Sequence, residues 1–164
     1  MFTGVDLSLT ETGLARLNRG RLQAEVVKTK LRGNPRLDYL EKQITQRIFN
    51  ANPIGVAIED YAMGAKGRTF NIGELGGVIR LAVYRAGIPM IEVPPTVLKK
   101  FVTGRGNANK ASMVKRVSQL WHSTQNDNIA DAVALAKVAV AVFGAGEEHP
   151  HLDYLLKNCV VSNV

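Results

Sequence analysis

The sequence predicts an α/β domain in which a five-stranded mixed sheet, three strands antiparallel and two parallel, carries helices on both faces. Residues 2–29 contain three segments of alternating apolar and polar side chains separated by turn signals, which is typical of an antiparallel meander. Residues 34–143 alternate short apolar runs with longer segments of helical periodicity, which is typical of parallel strands joined by helices. With 164 residues, the chain is long enough for one domain with a substantial core.

The meander opens the chain. Its strands are predicted at residues 2–9, about 12–18 and about 21–29. Turn signals lie at residues 10–13 and 19–20. Alternation in the first strand places Val5 and Leu7 on one face and Asp6 on the other. We therefore expect Asp6 in the middle of a strand, where an unpaired carboxylate is costly.

Helices and short apolar strands alternate in the rest of the chain. Asn34 and Asn109 are interpreted as helix N-caps, and Gly87 as the end of a helix. Buried strands are expected at residues 55–60 and 89–93. Helices are predicted over residues 35–50, over 70–85, from 94 to about 103, after Asn109, and over 127–143.

This order of elements, a meander joined to a parallel half by right-handed crossovers, is the ribonuclease-H-like arrangement. We expect residues 1–143 to form the domain and residues 144–164 to be a loosely attached tail. The sequence contains no apolar run of about 18 residues and no basic segment followed by an apolar one at its start, so we expect neither a membrane span nor secretion. Its one cysteine, Cys159, excludes a disulfide framework and fits a cytoplasmic protein.

The net charge of +7 favours a polyanionic partner such as nucleic acid. The distribution of charge strengthens this interpretation, because residues 94–126 contain no acidic side chain. The basic side chains in this segment are candidates for phosphate contacts: Lys99, Lys100, Arg105, Lys110, Lys115 and Arg116. Lys110, directly after the predicted cap Asn109 at a helix N-terminus, is well placed to hold a phosphate group.

Acidic residues lie on apolar elements at three places in the chain. Asp6 is in the first strand, Glu59 ends an apolar run, and Asp127 and Asp131 lie one turn apart on the last helix. In the predicted arrangement the first and fourth strands are neighbours, so these carboxylates are expected to converge on hard cations, Mg²⁺ or Mn²⁺. Two alternatives stay open: Asp60 takes the place of Glu59 after a one-residue slip, or Asp127 only caps its helix.

These motifs resemble those of the RuvC family of Holliday-junction resolvases, over most of residues 2–142. Residues 4–13 are similar to the first acidic motif of the family, in the form common among phage-encoded members, and residues 57–59 to the second. Residues 76–78 lie where the long dimer-forming helix of the family carries small residues. Residues 97–110 resemble its DNA-contacting segment, and residues 128–132 its last motif.

The resemblance implies a homodimer, formed through the helix at 70–86, that nicks two strands of like polarity in a four-way DNA junction. It implies two Mg²⁺ ions per active site, with Mn²⁺ as a substitute, and a bacterial or phage-infected cell as the setting. The implied catalytic set is Asp6, Glu59, Asp127, Asp131 and Lys110, of which the four acids are the metal ligands. The implied DNA-binding set adds Tyr61, Lys66 and Arg68 to Lys99, Lys100, Arg105, Lys110, Lys115 and Arg116.

The sequence departs from the family pattern at two positions. The last motif usually has Asp or His three residues before the final Asp, where this chain has Asn128. Asp127 is the expected substitute, and Asn128 itself stays open as the alternative ligand. An aromatic wedge often follows the second-motif Glu at the position of Ala62, and Tyr61 precedes it here.

Three rival functions are considered. The first is another ribonuclease-H-fold nuclease, which cuts flaps, other branched DNA or RNA–DNA hybrids. The second is a junction-binding protein without catalysis, which would not need acids at all three places. The third is an actin-like kinase, but that fold needs two such domains and 164 residues supply one.

Overall fold

One mixed sheet organises the fold. The computed structural model describes residues 1–60, 69–122, 126–145 and 150–164. Within these residues the strands are β1 (Phe2–Asp6), β2 (Glu11–Asn18), β3 (Arg21–Lys28), β4 (Gly55–Glu59), β5 (Met90–Val93) and β6 (Val160–Ser162). Their order in the sheet is β3-β2-β1-β4-β5-β6. Strands β1 to β3 form the predicted antiparallel meander, and β4 is parallel to both β1 and β5.

The prediction of five strands is wrong by one. The sixth strand, β6, pairs antiparallel with β5 at the edge of the sheet. It comes from residues 144–164, for which the sequence predicts a loosely attached tail. In the described part of this segment the side chain of Leu155 is fully buried, and Asn163 donates hydrogen bonds to the carbonyl oxygens of Tyr84 and Ile88. The described part of this segment therefore packs on the domain.

The first strand ends earlier than predicted. Strand β1 stops at Asp6, so Asp6 lies at the end of a strand and not in its middle. Residues 7–10 form a connection to β2 instead of continuing the strand. The Thr12 hydroxyl donates to the carbonyl oxygen of Ser8 at 2.8 Å and accepts from the Ser8 amide at 3.1 Å. These bonds turn the chain immediately after Asp6.

Helices cover both faces of the sheet in the described residues. They are α1 (Gly33–Ala51), α2 (Thr69–Arg85), α3 (Pro95–Thr103), α4 (Lys110–Trp121), α5 (Asp127–Phe143) and α6 (Leu152–Asn158). Helices α1 and α2 pack on the face that carries Val5, Leu14 and Ile58. Helices α3 to α6 pack on the opposite face, which carries Ala15 and Ala57. No helix in the described part of the chain is long and apolar enough to span a bilayer.

The predicted helix caps have different outcomes. The Asn109 side chain accepts from the Ser112 amide at 2.9 Å, so this N-cap is confirmed. The Asn34 cap is wrong, because α1 begins at Gly33 and Arg32 is its N-cap residue, without a side-chain cap bond. Helix α5 is capped by the Asn126 side chain, which accepts from the Ile129 amide at 3.2 Å. Asp127 is therefore not the cap of α5.

Helix α5 lies unusually close to the sheet because two strand positions are glycine. A Cβ atom on Gly4 of β1 would lie 2.1 Å from the carbonyl oxygen of Ala132, and one on Gly13 of β2 would lie 2.1 Å from that of Asn128. A side chain at either position would force the helix away from the strands. The glycines thus set the height of α5 above the end of β1, where Asp6 lies.

Candidate active site

Asp6 and Glu59 end two neighbouring parallel strands. The register pairs Val5 of β1 with Ile58 of β4, so the next residue of each strand lies beside the other. Because side chains alternate across a strand, Asp6 points to the same face as Gly4, and Glu59 to the same face as Ala57. That face is covered by α5. Both carboxyl groups therefore lie under α5, as predicted.

Helix α5 brings the other two acids to the same place. Asp127 and Asp131 lie in its first turns, one turn apart. An open cleft of about 360 Å³ contains the four acids and the basic side chains that face them. It is lined by Asp6, Ser8, Glu59, Pro95, Leu98, Lys99, Lys110, Met113, Val114, Asp127, Asn128 and Asp131.

Burial and mutual repulsion raise the pKa values of the three inner acids. Burial, followed by the charges of Glu59 and Asp131, raises the pKa of Asp6 well above its usual range. Burial and the charge of Asp131 raise the pKa of Glu59 to about 7, and burial raises the pKa of Asp131 to about 6. When both are ionised, the Glu59 carboxylate repels that of Asp6, which adds to the effect of burial on the pKa of Asp6. Without a cation, this cluster therefore holds protons near neutral pH.

Asp127 has a different environment from the other acids. The Lys110 ammonium donates to Asp127 Oδ2 at 2.9 Å across the rim of the cleft. This hydrogen bond lowers the pKa of Asp127 and raises that of Lys110. Asn128 also lines the cleft, but its side chain donates to Glu11 Oε2 at 3.3 Å. Asp127 is thus an ionised, partly exposed carboxylate above a buried, proton-holding trio.

The donor chemistry of the cleft suits a hard cation. Its acidic ligands are all carboxylates, which is the donor type that Mg²⁺ and Mn²⁺ prefer. Among the described residues, no group of three or more His, Cys, Asp and Glu side chains is already arranged so that it could hold a metal ion. In this arrangement the Lys110 ammonium binds Asp127 Oδ2, an oxygen that a cation at the rim would need. The donor types therefore fit a hard cation, and Asp127 would join the other carboxylates as a ligand once Lys110 releases it.

The alternative of a one-residue slip from Glu59 to Asp60 does not hold. The Asp60 carboxylate pairs with the Arg80 guanidinium of α2 at 3.3 Å, whereas Glu59 lines the cleft.

Arg80 is a residue that the sequence analysis did not single out. Its side chain is only 10% exposed, pairs with Glu92 at 2.7 Å, and also donates to the carbonyl oxygen of Glu59 at 3.3 Å. A charged residue in the otherwise apolar face of α2, between Ile79 and Val83, is the signal that would have indicated it. Arg80 therefore holds the end of β4 from the α2 side of the sheet.

The predicted DNA-binding residues fall in different places. Lys99 and Lys110 line the cleft. The Lys100 ammonium instead lies 4.2 Å from the centre of the Tyr154 ring. Arg105, Lys115 and Arg116 are exposed on or after the neighbouring helices and do not line the cleft. Tyr61, Ala62, Lys66 and Arg68 lie outside the described residues.

The strand order, with acids at the ends of β1 and β4 and on the helix above them, defines the ribonuclease-H-like class of proteins. Comparison with known proteins gives the family. The family model "Crossover junction endodeoxyribonuclease RuvC" matches residues 2–139. The chain therefore belongs to the RuvC family, and the resemblance drawn from its motifs is confirmed.

Curated relatives and solved structures agree with this assignment. The RuvC protein of Salinispora arenicola is 33% identical over 145 residues, which are 81% of this chain and 83% of the relative. That of Brachyspira hyodysenteriae is 36% identical over 105 residues, which are 63% of this chain and 66% of the relative. The structure of RuvC from Thermus thermophilus in complex with a Holliday junction substrate matches with a TM-score of 0.67 at 22% identity, covering 83% of this chain and 91% of the other. At this identity the structural match establishes the fold.

Proposed function

We propose that this chain resolves four-way DNA junctions by nicking two strands of like polarity through metal-dependent phosphodiester hydrolysis. The observation that carries the proposal is the convergence of Asp6, Glu59 and Asp131 in one open cleft with Lys110 at its rim, in a chain of the RuvC family. The proposal makes the enzyme a crossover junction endodeoxyribonuclease. We propose the cytoplasm of a bacterium or of a phage-infected cell as its setting.

Divalent cations would be held by Asp6, Glu59 and Asp131, with Asp127 as a fourth ligand at the rim. We propose two Mg²⁺ ions, which Mn²⁺ can replace. Such ions supply positive charge for the developing charge on the phosphate and make water a better nucleophile. The raised pKa values of Glu59 and Asp131 also favour bound cations, because four close carboxylates ionise together only when positive charge balances them.

Lys110 and Lys99 are the positively charged side chains that would hold the scissile phosphate. Lys110 follows the N-cap of α4 and lines the cleft, and its ammonium is held there by Asp127. A phosphate oxygen and Asp127 would compete for this ammonium, so substrate binding frees the carboxylate for a cation. Lys99 lines the cleft from α3, and its charge opposes part of the rise that burial causes in the pKa of Glu59 and of Asp131.

The exposed Lys and Arg side chains outside the cleft would contact DNA phosphates farther from the cut. Arg105, Lys115 and Arg116 are exposed beside the cleft, and Lys100 is also exposed although it contacts Tyr154. Tyr61, Lys66 and Arg68, which follow β4, stay in the proposed set, with Tyr61 as the candidate wedge into the junction. Such contacts provide affinity, and the shape of the junction provides selectivity.

The proposed enzyme is a homodimer formed through α2. Phe70, Leu81 and Tyr84 are large apolar side chains that α2 exposes, at spacings that place them along one side of the helix. A Cβ atom added to Gly77, on the same side, would meet nothing within 4 Å, so a second helix could approach closely there. Exposed apolar side chains along one side of a helix are typical of an interaction surface. Two copies related by a two-fold axis would present two identical clefts to one junction.

A cleavage panel tests the proposal. The chain is incubated with Mg²⁺ and with a four-way junction, a nicked flap and an RNA–DNA hybrid of matched sequence, and products are mapped on every strand. We expect paired nicks in the junction and slower cutting of the other two substrates. Faster cutting of the flap or hybrid would make the chain another nuclease of this fold, and binding to the junction without any cut would make it a non-catalytic binder.

A further inference from the structure

A second open groove lies beside the active-site cleft, at the same end of the sheet. It has a volume of about 750 Å³ and lies where β2 begins and β3 ends. We call it the 28–36 groove; it is lined by Thr10, Glu11, Lys28, Thr29, Lys30, Leu31, Arg32 and Arg36. None of its basic side chains belongs to the DNA-binding set drawn from the sequence.

The groove is strongly basic. Residues 26–37 contain four basic side chains and no acidic one. Of the four, Lys28 pairs with Glu11 at 3.0 Å. Glu11 is the acidic residue among those that line the groove. Lys30 and Arg32 are exposed and Arg36 is half-buried. The lining thus has a net charge of about +3, which is a surface suited to a polyanion.

One side chain separates the 28–36 groove from the catalytic cleft. Glu11 accepts from Lys28 on the groove side and from Asn128 at 3.3 Å on the cleft side, where Asn128 is part of the lining. The connection also holds through the backbone, because the Thr29 amide donates to the carbonyl oxygen of Thr10 at 3.1 Å. A chain of phosphates that leaves the cleft toward β3 would therefore reach Lys28, Lys30 and Arg32 next.

We propose that the 28–36 groove binds the phosphate backbone of the DNA arm that leaves the cleft on the β3 side. This inference rests on the proposed function, and it adds a second contact region to the one on α3 and α4. The scissile phosphate then lies between two basic surfaces, Lys99 and Lys110 on one side and Lys30, Arg32 and Arg36 on the other. Contacts on both sides of the cut would fix the register of the strand over the carboxylates.

The test compares two triple variants of equal charge change. The groove variant carries Lys30→Ala, Arg32→Ala and Arg36→Ala; the control carries Arg19→Asn, Arg21→Ala and Lys157→Ala, which remove exposed bases elsewhere on the domain. Junction affinity is measured with Ca²⁺ in place of Mg²⁺ over a series of salt concentrations. We expect the groove variant to bind a long-armed junction at least about tenfold more weakly, with a salt slope less steep by about 2 to 3, since each phosphate contact contributes about 0.9. The control should keep the wild-type slope.

Two further measurements make the outcome decisive. A junction with arms too short to reach the groove should bind the groove variant and the control equally well. A double variant, Lys30→Glu with Arg32→Glu, alters only exposed side chains and should weaken binding further if the groove holds phosphates. Affinity and salt slope equal to those of the control overturn the groove assignment while wild-type cleavage of the junction leaves the proposed function standing. Failure of the wild type to bind any junction contradicts the proposed function itself.

Discussion

Asp6 is the residue with the most unfavourable environment in the cleft, because it is buried against two other acids. A buried acid of this kind either has a chemical role or serves only packing, and substitution by the isosteric amide separates the two. We expect Asp6→Asn to lower the nicking rate by more than the roughly 10–100-fold that is typical for partners of metal ligands. Junction affinity in Ca²⁺ should stay within about twofold of the wild type, since the phosphate contacts are unchanged. Equal losses of binding and nicking would show that Asp6 is structural.

The raised pKa values of the acids predict how stability depends on pH in the absence of divalent cations. Glu59 has a pKa of about 7 in the folded protein against 4.5 when unperturbed, so between these values the folded state binds more protons than the unfolded chain. The free energy of unfolding should therefore fall as pH rises through this range. Glu59→Gln should flatten that decline in denaturant titrations. A free energy that rises over the same range would contradict the burial of these acids.

Cation binding should oppose this loss of stability at higher pH. Mg²⁺ binds the ionised carboxylates of the folded state, so it should raise the melting temperature more at about pH 8 than at about pH 5. The Asp6→Asn variant should show a smaller increase at both values.

Arg80 carries a buried charge that contacts three residues. They are Glu59 at the end of β4, Asp60 directly after β4, and Glu92 on β5. Breaking a buried ion pair from one side leaves the carboxylates uncompensated, so we expect Arg80→Met to cost about 3 kcal/mol of unfolding free energy. Arg47→Met is the matched control, because Arg47 is 30% exposed in its pair with Glu25 and should cost about 1 kcal/mol or less. Adding Glu92→Gln to Arg80→Met should restore part of the loss, and no recovery would contradict a charge-based role.

At the scale of elements, the outward side of α2 carries the dimer proposal. Leu81 is 47% exposed on α2, and Leu156 is 48% exposed on α6, so the two leucines form a matched pair. We expect Leu81→Lys to shift the protein to monomers in sedimentation, because a charge would be buried in the interface. Leu156→Lys should leave the wild-type oligomeric state. Dissociation by Leu156→Lys, with Leu81→Lys unaffected, would place the interface on α6.

The sequence predicts some elements well because their signals are local. Helix α5 has the predicted bounds, 127–143, and Asn109 caps α4, since both follow from side chains within one or two turns. Strand β6 has three residues and no period that could be recognised, and it exists through pairing with β5, about seventy residues earlier in the chain. The contacts of Arg80 and the pairing of Lys110 with Asp127 also join residues from different elements, so spacing and composition could not predict them.

At the scale of the whole molecule, the chain combines a fold known from the RuvC family with a charge distribution that suits branched DNA. The acids converge at one edge of the sheet because two parallel strands end there and two glycines let α5 approach it closely. The family and the α/β fold were predicted from the motifs, whereas the metal ions, the dimer and the roles of individual residues stay predictions. Paired nicking needs all of these features at once, because one junction must meet two active clefts.

A supercoiled plasmid with an extruded cruciform tests this central claim most directly. Two coordinated nicks across the cruciform convert the circle to linear DNA, whereas a single nick relaxes it to an open circle. We predict that the wild type with Mg²⁺ yields linear product from the earliest times, and that Leu81→Lys yields open circles. Open circles from the wild type, or no cleavage of the cruciform beside rapid cutting of a flap, would contradict resolution by a symmetric dimer.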